Sequence, residues 1–150
     1  KLLSALVRTG HLTRFQAVQL TRGRFSGFLL SGRYKILDSL GDGGMGYVLL
    51  CEHLVLQRLA AVKVLHPDQS ATQESARRLV HESRLAAQLD HPNIARVFDA
   101  ESDPSTFVAY EFVDGIDLHH LVAERGPLSM SRAASFVYQT ACGLAAAHES

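Results

Sequence analysis

At 150 residues, 47% of them hydrophobic, the chain can bury one core and holds about one domain's worth of sequence. Fifteen basic and fifteen acidic residues cancel and the basic ones are scattered, which argues against nucleic acid or a membrane surface as the main partner. There is no signal peptide and no apolar run of membrane-spanning length, and the eight histidines, His119-His120 included, lack metal-ligand spacing on a shared face. Cys51 and Cys142 lie in apolar surroundings and read as buried thiols of a reducing compartment, not as a disulfide.

In chain order, Leu2, Leu3, Leu6 and Val7 share one helical face, broken at Gly10. Thr13 with Gln16 three residues on forms a capping box, which opens a second helix carrying Phe15, Val18 and Leu20. Arg22 to Gly32 reads as a loop, although Phe28-Leu29-Leu30 is apolar enough to dock on something. Residues 1–32 are therefore expected to form a small helical appendage that packs on the domain or on a neighbour.

Arg33 to Leu40 reads as a first strand, and it leads into Leu40-Gly41-Asp42-Gly43-Gly44-Met45-Gly46-Tyr47-Val48. The pattern G-x-G-x-x-G-x-V fits three phosphate-binding loops. A dinucleotide-binding turn needs a helix straight after the glycines, whereas Tyr47 to Cys51 is rich in strand formers. A P-loop needs Lys and then Ser or Thr after its last glycine, and Gly46 is followed by Tyr47. The third is a glycine-rich hairpin whose backbone, free of Cβ atoms, can approach phosphates, followed by a strand carrying a lysine. Val48 to His53 and Leu59 to Leu65 supply strands two and three, and Lys63 sits inside the apolar run of the third. Only three lysines occur in the chain, and one placed in a buried strand needs an anion.

His66-Pro67-Asp68 breaks that run, and Ser70 to Leu89 has helical spacing, with Ser70 and Gln73 resembling a cap. Glu82, nineteen residues after Lys63, lies among small and apolar neighbours and is the candidate anion; Glu74 is the rival, but the helix dipole already explains a carboxylate in the first turn. Ile94 to Ala100 and Thr106 to Phe112 read as two more strands around Glu101 to Ser105. After the connector Val113-Asp114-Gly115, Asp117 to Ala123 starts a small helix and Ser129 opens a long one. Phe136, Val137, Thr140, Ala141 and Leu144 give that helix a wide apolar face that the rest of the chain cannot cover.

Five strands, one helix between the third and fourth, then a hinge and helices: the chain resembles the front part of a bacterial, eukaryotic-like Ser/Thr protein kinase. The motifs that carry the resemblance are Gly41 to Gly46, Ala61-Val62-Lys63-Val64-Leu65, Glu82, Leu89-Asp90-His91-Pro92-Asn93-Ile94 and Tyr110-Glu111-Phe112-Val113-Asp114-Gly115. It implies an α+β fold: a kinase N-lobe of five antiparallel strands and one main helix with its hinge at 33–115, then the first helices of the C-lobe at 116–150. It further implies that the backbone of Gly41, Asp42, Gly43, Gly44, Met45 and Gly46 covers the phosphates of ATP. Lys63 would hold the α and β phosphates, and Glu82 would pair with Lys63. Leu40, Val48 and Ala61 would roof the adenine, the main chain at Glu111 and Val113 would bind its edge, and Tyr110 would close the back of the pocket. Asp117 would meet the ribose, and it reads equally as a helix cap.

The sequence contains no His-Arg-Asp, Asp-Phe-Gly or Ala-Pro-Glu, so the catalytic base and the Mg2+ ligands of such a kinase are expected beyond residue 150. The chain reads as a piece of a longer protein, cytoplasmic in this stretch and inactive in phosphotransfer by itself, with protein substrates as partners of the parent. The alternatives are a pseudokinase, a nucleotide-binding scaffold, or an interaction module built on residues 1–32.

Overall fold

The computed structural model of the protein describes residues 1–44, 46–66, 73–102 and 106–149. Two short helices, α1 (Leu2–Arg8) and α2 (Arg14–Thr21), precede the strands β1 (Leu29–Leu30), β2 (Tyr34–Gly43), β3 (Gly46–His53) and β4 (Arg58–Leu65). Helix α3 (Gln73–Ala86) follows, then β5 (Val97–Glu101), β6 (Phe107–Glu111), α4 (Leu118–Arg125) and α5 (Met130–His148). The strands form one antiparallel sheet in the order β1-β2-β3-β4-β6-β5. The expected cap at Ser70 and the turn at 103–105 lie outside the described residues.

The sheet has one strand more than the five expected. Ser31 and Gly32 both have left-handed backbones (φ 51° and 67°) and form the centre of a tight turn, closed by Arg33 N–H donating to the Leu30 carbonyl at 3.1 Å. The chain is thereby reversed, and Leu29 and Leu30 pair with Lys35 and Tyr34. Two residues are too few for a period of two to register in a sequence.

Strand alternation sends Tyr34, Ile36, Leu49, Cys51, Ala60, Val62, Val64, Phe107 and Ala109 into one buried cluster, with Phe15 of α2 and Leu30 packed against it. Each fully buried aliphatic or aromatic side chain there contributes about 1.5–3 kcal/mol. Across the strands Val48, Lys63 and Val108 stand opposite one another, as do Leu50, Ala61 and Tyr110, so these six share the other face.

The two ends of the sheet curl toward each other. Arg33, beside the β1–β2 turn, reaches β5 at the far edge: Nη2 donates to Glu101 Oε2 at 2.6 Å, and Nη1 lies 3.3 Å from Asp99 Oδ2. Ser31 Oγ donates to the same Glu101 oxygen at 2.5 Å, and the Tyr34 hydroxyl donates to Asp99 at 3.1 Å. The sheet is thus closed by side chains rather than by a ladder.

Helix α2 has the capping box that Thr13 and Gln16 announce: Gln16 N–H donates to Thr13 Oγ1 at 3.1 Å, and Thr13 N–H to Gln16 Oε1 at 3.0 Å. Helix α3 packs against β5 and β6. Helix α5 approaches the loop before β5 through Gly143, where an added Cβ would stand 3.1 Å from the Asn93 carbonyl oxygen. Its Val137, Tyr138 and Leu144 are exposed among the described residues.

Candidate nucleotide site

The hairpin β2–β3 is built with two extra residues on one side. Ile36 faces Cys51 and Asp38 faces Leu50, which leaves Leu37 without a register partner; Ser39 faces Leu49 and Gly41 faces Val48, which leaves Leu40 out in the same way. Each bulge raises the local twist and turns the following segment relative to the sheet. Leu40, expected in the adenine roof, sits in the second bulge and is half exposed.

The glycines divide by role. A Cβ on Gly46 (φ 155°) would lie 2.1 Å from the Val64 carbonyl oxygen, so the packing of β3 against β4 itself demands glycine there. Among the described residues, nothing lies within 4 Å of where a Cβ on Gly41 or Gly44 would stand. Met45 lies outside the described residues. The hairpin tip is tied to the end of β4: His66 Nε2 lies 3.2 Å from both Asp42 Oδ1 and the Gly43 carbonyl, two acceptors that a ring N–H serves.

Beneath the hairpin, Val48 and Lys63 are directly opposite on one face, with Ala61 two residues along the same strand. All three are half-buried. Lys63 has neither an ion pair nor a side-chain hydrogen bond among the described residues.

The expected ion pair between Lys63 and Glu82 is not formed in this structure. Glu82 Oε1 instead accepts from Arg78 Nε at 2.8 Å, one helical turn back, with both side chains largely in solvent. A partner four residues away on the same helix needs no movement of α3, whereas Lys63 lies on β4 and α3 packs on β5 and β6. The Arg-before-Glu order is the less favourable one along a helix, and an exposed pair is worth about 0.2–1 kcal/mol, so this contact is easily exchanged. Glu74 is in α3, but its side chain lies outside the described residues. Glu82 also lies close enough to Tyr110 to act on its hydroxyl, whose pKa is raised by burial first and by the Glu82 charge as well, with the Ser83 hydroxyl opposing. Tyr110 lies near the end of β6, the strand against which α3 packs, on the same face as Ala61. Arg78 is the residue that sequence reasoning missed, and its spacing of four from Glu82 was the available signal.

At the start of the connector, Glu111 N–H donates to the Arg96 carbonyl at 2.8 Å, and Val113 is exposed. Asp117 caps α4: its Oδ1 accepts from His120 N–H at 2.8 Å, and that bond, more than any other influence, holds the carboxyl below its ordinary pKa.

Comparison with known proteins agrees with this fold. The protein kinase domain matches residues 34–150, and the chain belongs to that family. It is 37% identical over 121 residues to serine/threonine-protein kinase PrkC of Bacillus subtilis, covering 80% of this chain and 19% of that protein. To serine/threonine-protein kinase pkn2 of Myxococcus xanthus it is 40% identical over 122 residues, covering 81% and 15%. The crystal structure of the Mycobacterium tuberculosis PknI kinase domain superposes with a TM-score of 0.71 at 33% identity, over 84% of this chain and 51% of that one. The chain thus spans about half of a solved kinase domain and less than a fifth of these curated relatives. The family, the α+β architecture and the kinase N-lobe followed by the start of a C-lobe are as the sequence implied.

Proposed function

We propose that this chain carries the nucleotide-covering half of a serine/threonine protein kinase, whose whole protein moves the γ-phosphoryl group of ATP to a protein hydroxyl. The observation that carries this reading is the shared face of Val48, Ala61 and Lys63: an apolar strip with one cation that has no partner among the described residues. Open space beside Gly41 and Gly44 fits the close approach of a phosphate to backbone. Mg-ATP supplies the transferable group and most of the charge that such a site must neutralise.

Each residue then has a task that its place allows. Lys63 holds phosphate oxygens by charge, as a flexible ammonium can. Leu40, Val48 and Ala61 exclude water from the faces of the base, while the Glu111 carbonyl and the Val113 N–H read its edge. Tyr110 limits the space behind it, and Asp117 can reach a ribose hydroxyl only by giving up part of its cap. Glu82 leaves Arg78 and takes Lys63 when the nucleotide is bound, which orders the lysine for transfer. Positioning and charge neutralisation supply the rate, and the base and Mg2+ ligands are not among these residues. The 150-residue chain alone therefore transfers no phosphoryl group. Protein substrates are the expected partners and the cytoplasm the expected compartment. No helix among the described residues is long and apolar enough to cross a membrane.

The test is phosphoryl transfer from γ-labelled ATP by the full-length protein, with Lys63→Met beside it. Label on a protein serine or threonine, lost in the variant, is the expected result. Nucleotide binding without transfer would leave a nucleotide-binding scaffold, and no binding would overturn the reading.

A further inference from the structure

The bulge at Leu37 leaves polar backbone at the root of the glycine hairpin, and α2 satisfies it. Thr13 Oγ1 donates to the Leu37 carbonyl at 2.6 Å, and Gln16 Nε2 donates to the Ile36 carbonyl at 2.7 Å. Gln16 is only 3% exposed, so its amide is committed to this contact rather than to water. The two side chains are also the capping box of their own helix, with Thr13 Oγ1 accepting from Gln16 N–H. One pair of residues therefore starts α2 and grips β2 at the same point.

That point is mechanically specific. Leu37 is the extra residue of the first bulge and Leu40 that of the second, and Gly41 follows at once. The angle at which Asp38 to Gly44 leaves the sheet is set at these bulges. Further along, a cleft of about 930 Å³ separates Arg14 and Val18 of α2 from Asp42 and Tyr47 of the hairpin. The link from α2 to the hairpin thus runs through the carbonyls of Ile36 and Leu37, while His66 holds the tip. The match to the protein kinase domain begins at residue 34, so this grip comes from chain that precedes it.

We propose that α2 is a built-in positioning element for the nucleotide-covering hairpin, with Thr13 and Gln16 as positioning residues that set its angle over the Lys63 face. The proposal rests on the nucleotide site argued above. Whatever moves or displaces the first 32 residues would then change nucleotide affinity without touching the site.

The experiment compares full-length wild type with Thr13→Val, which keeps shape and removes both the donor to β2 and the cap of α2, and with Thr13→Ser, which restores both. Binding of ATP is measured by calorimetry well below the melting temperature, and amide hydrogen exchange is followed in the hairpin and at Val62 in the core. Thr13→Val should weaken ATP binding about fivefold, the size of one neutral hydrogen bond, with faster exchange at residues 38–44, unchanged exchange at Val62, and rescue by Thr13→Ser. If Thr13→Val does not fold, Gln16→Met carries the same comparison. Equal ATP affinity and equal hairpin exchange overturn the proposal, as does a uniform rise in exchange that includes Val62, which would make α2 a stabiliser only. If the wild type binds no ATP, the nucleotide reading fails separately, and hairpin exchange still judges the grip.

Discussion

Arg33 and Glu101 lie at opposite ends of the strand order, yet the guanidinium and the carboxylate meet at 2.6 Å. With Asp99, Ser31 and Tyr34 they join the β1–β2 turn to β5, so the curl of the sheet depends on a small polar cluster that includes the Tyr34 hydroxyl. Arg33 is 43% exposed and Glu101 26%, which puts the contact between a surface and a buried pair. Arg33→Met should cost about 1 kcal/mol in urea unfolding at low salt, and the difference should shrink in 1 M NaCl. Coincident unfolding curves at low salt would show that the cluster only decorates a curl set by packing.

The glycines should separate fold from function. Gly46→Ala forces a Cβ against the Val64 carbonyl and should destabilise by about 2 kcal/mol or more, because backbone of both strands must shift. Gly41→Ala and Gly44→Ala meet nothing within 4 Å and should leave the melting temperature nearly unchanged while weakening ATP binding. Thermal melts and nucleotide titrations on the three variants check this. A Gly46→Ala melt equal to wild type would contradict the packing argument.

Exchange of partners by Glu82 can be tested from both sides. Glu82→Gln should lower the transfer rate of the full-length protein by roughly 10²-fold or more if the carboxylate must order Lys63. Arg78→Gln releases Glu82 at a cost of under about 1 kcal/mol and should leave the rate unchanged or higher. Loss of rate in Arg78→Gln to the level of Glu82→Gln would mean that the pair with Arg78 is itself the working state.

Burial of Cys51 against the sheet core raises its thiol pKa from 9.0 to about 12. The folded protein holds the proton where the unfolded chain has lost it, so stability should fall as pH rises from 9 toward 12, by about 1.4 kcal/mol per pH unit for this one group. Tyr34, raised by burial and then by the Asp99 carboxylate, adds a loss of the same sign above its ordinary range near 10. Urea unfolding at pH 8 and pH 10.5 should show a drop that is shallower in Cys51→Ala. The same drop in both proteins would leave Cys51 with no part in it.

What the sequence alone determined are features written within a few residues of one another. Apolar runs and strand formers placed β2, β3, β4, β5 and β6, the Thr13–Gln16 spacing announced the start of α2, and the glycines with Lys63 marked the face proposed to take the nucleotide. Each depends on local backbone preference or on a period of two or 3.6 residues, and such signals survive without tertiary context. The tertiary structure decided everything that turns on distance between elements remote in the chain. It left Lys63 unpaired with Glu82, as α3 packs on β5 and β6 while Lys63 lies on β4, and it brought Arg33 to Glu101 because the sheet curls. It also laid the α2 cap on the Leu37 carbonyl, at a bulge visible only once β2 is paired with β3. A side chain's type states what it can bind; only packing places the partner within reach.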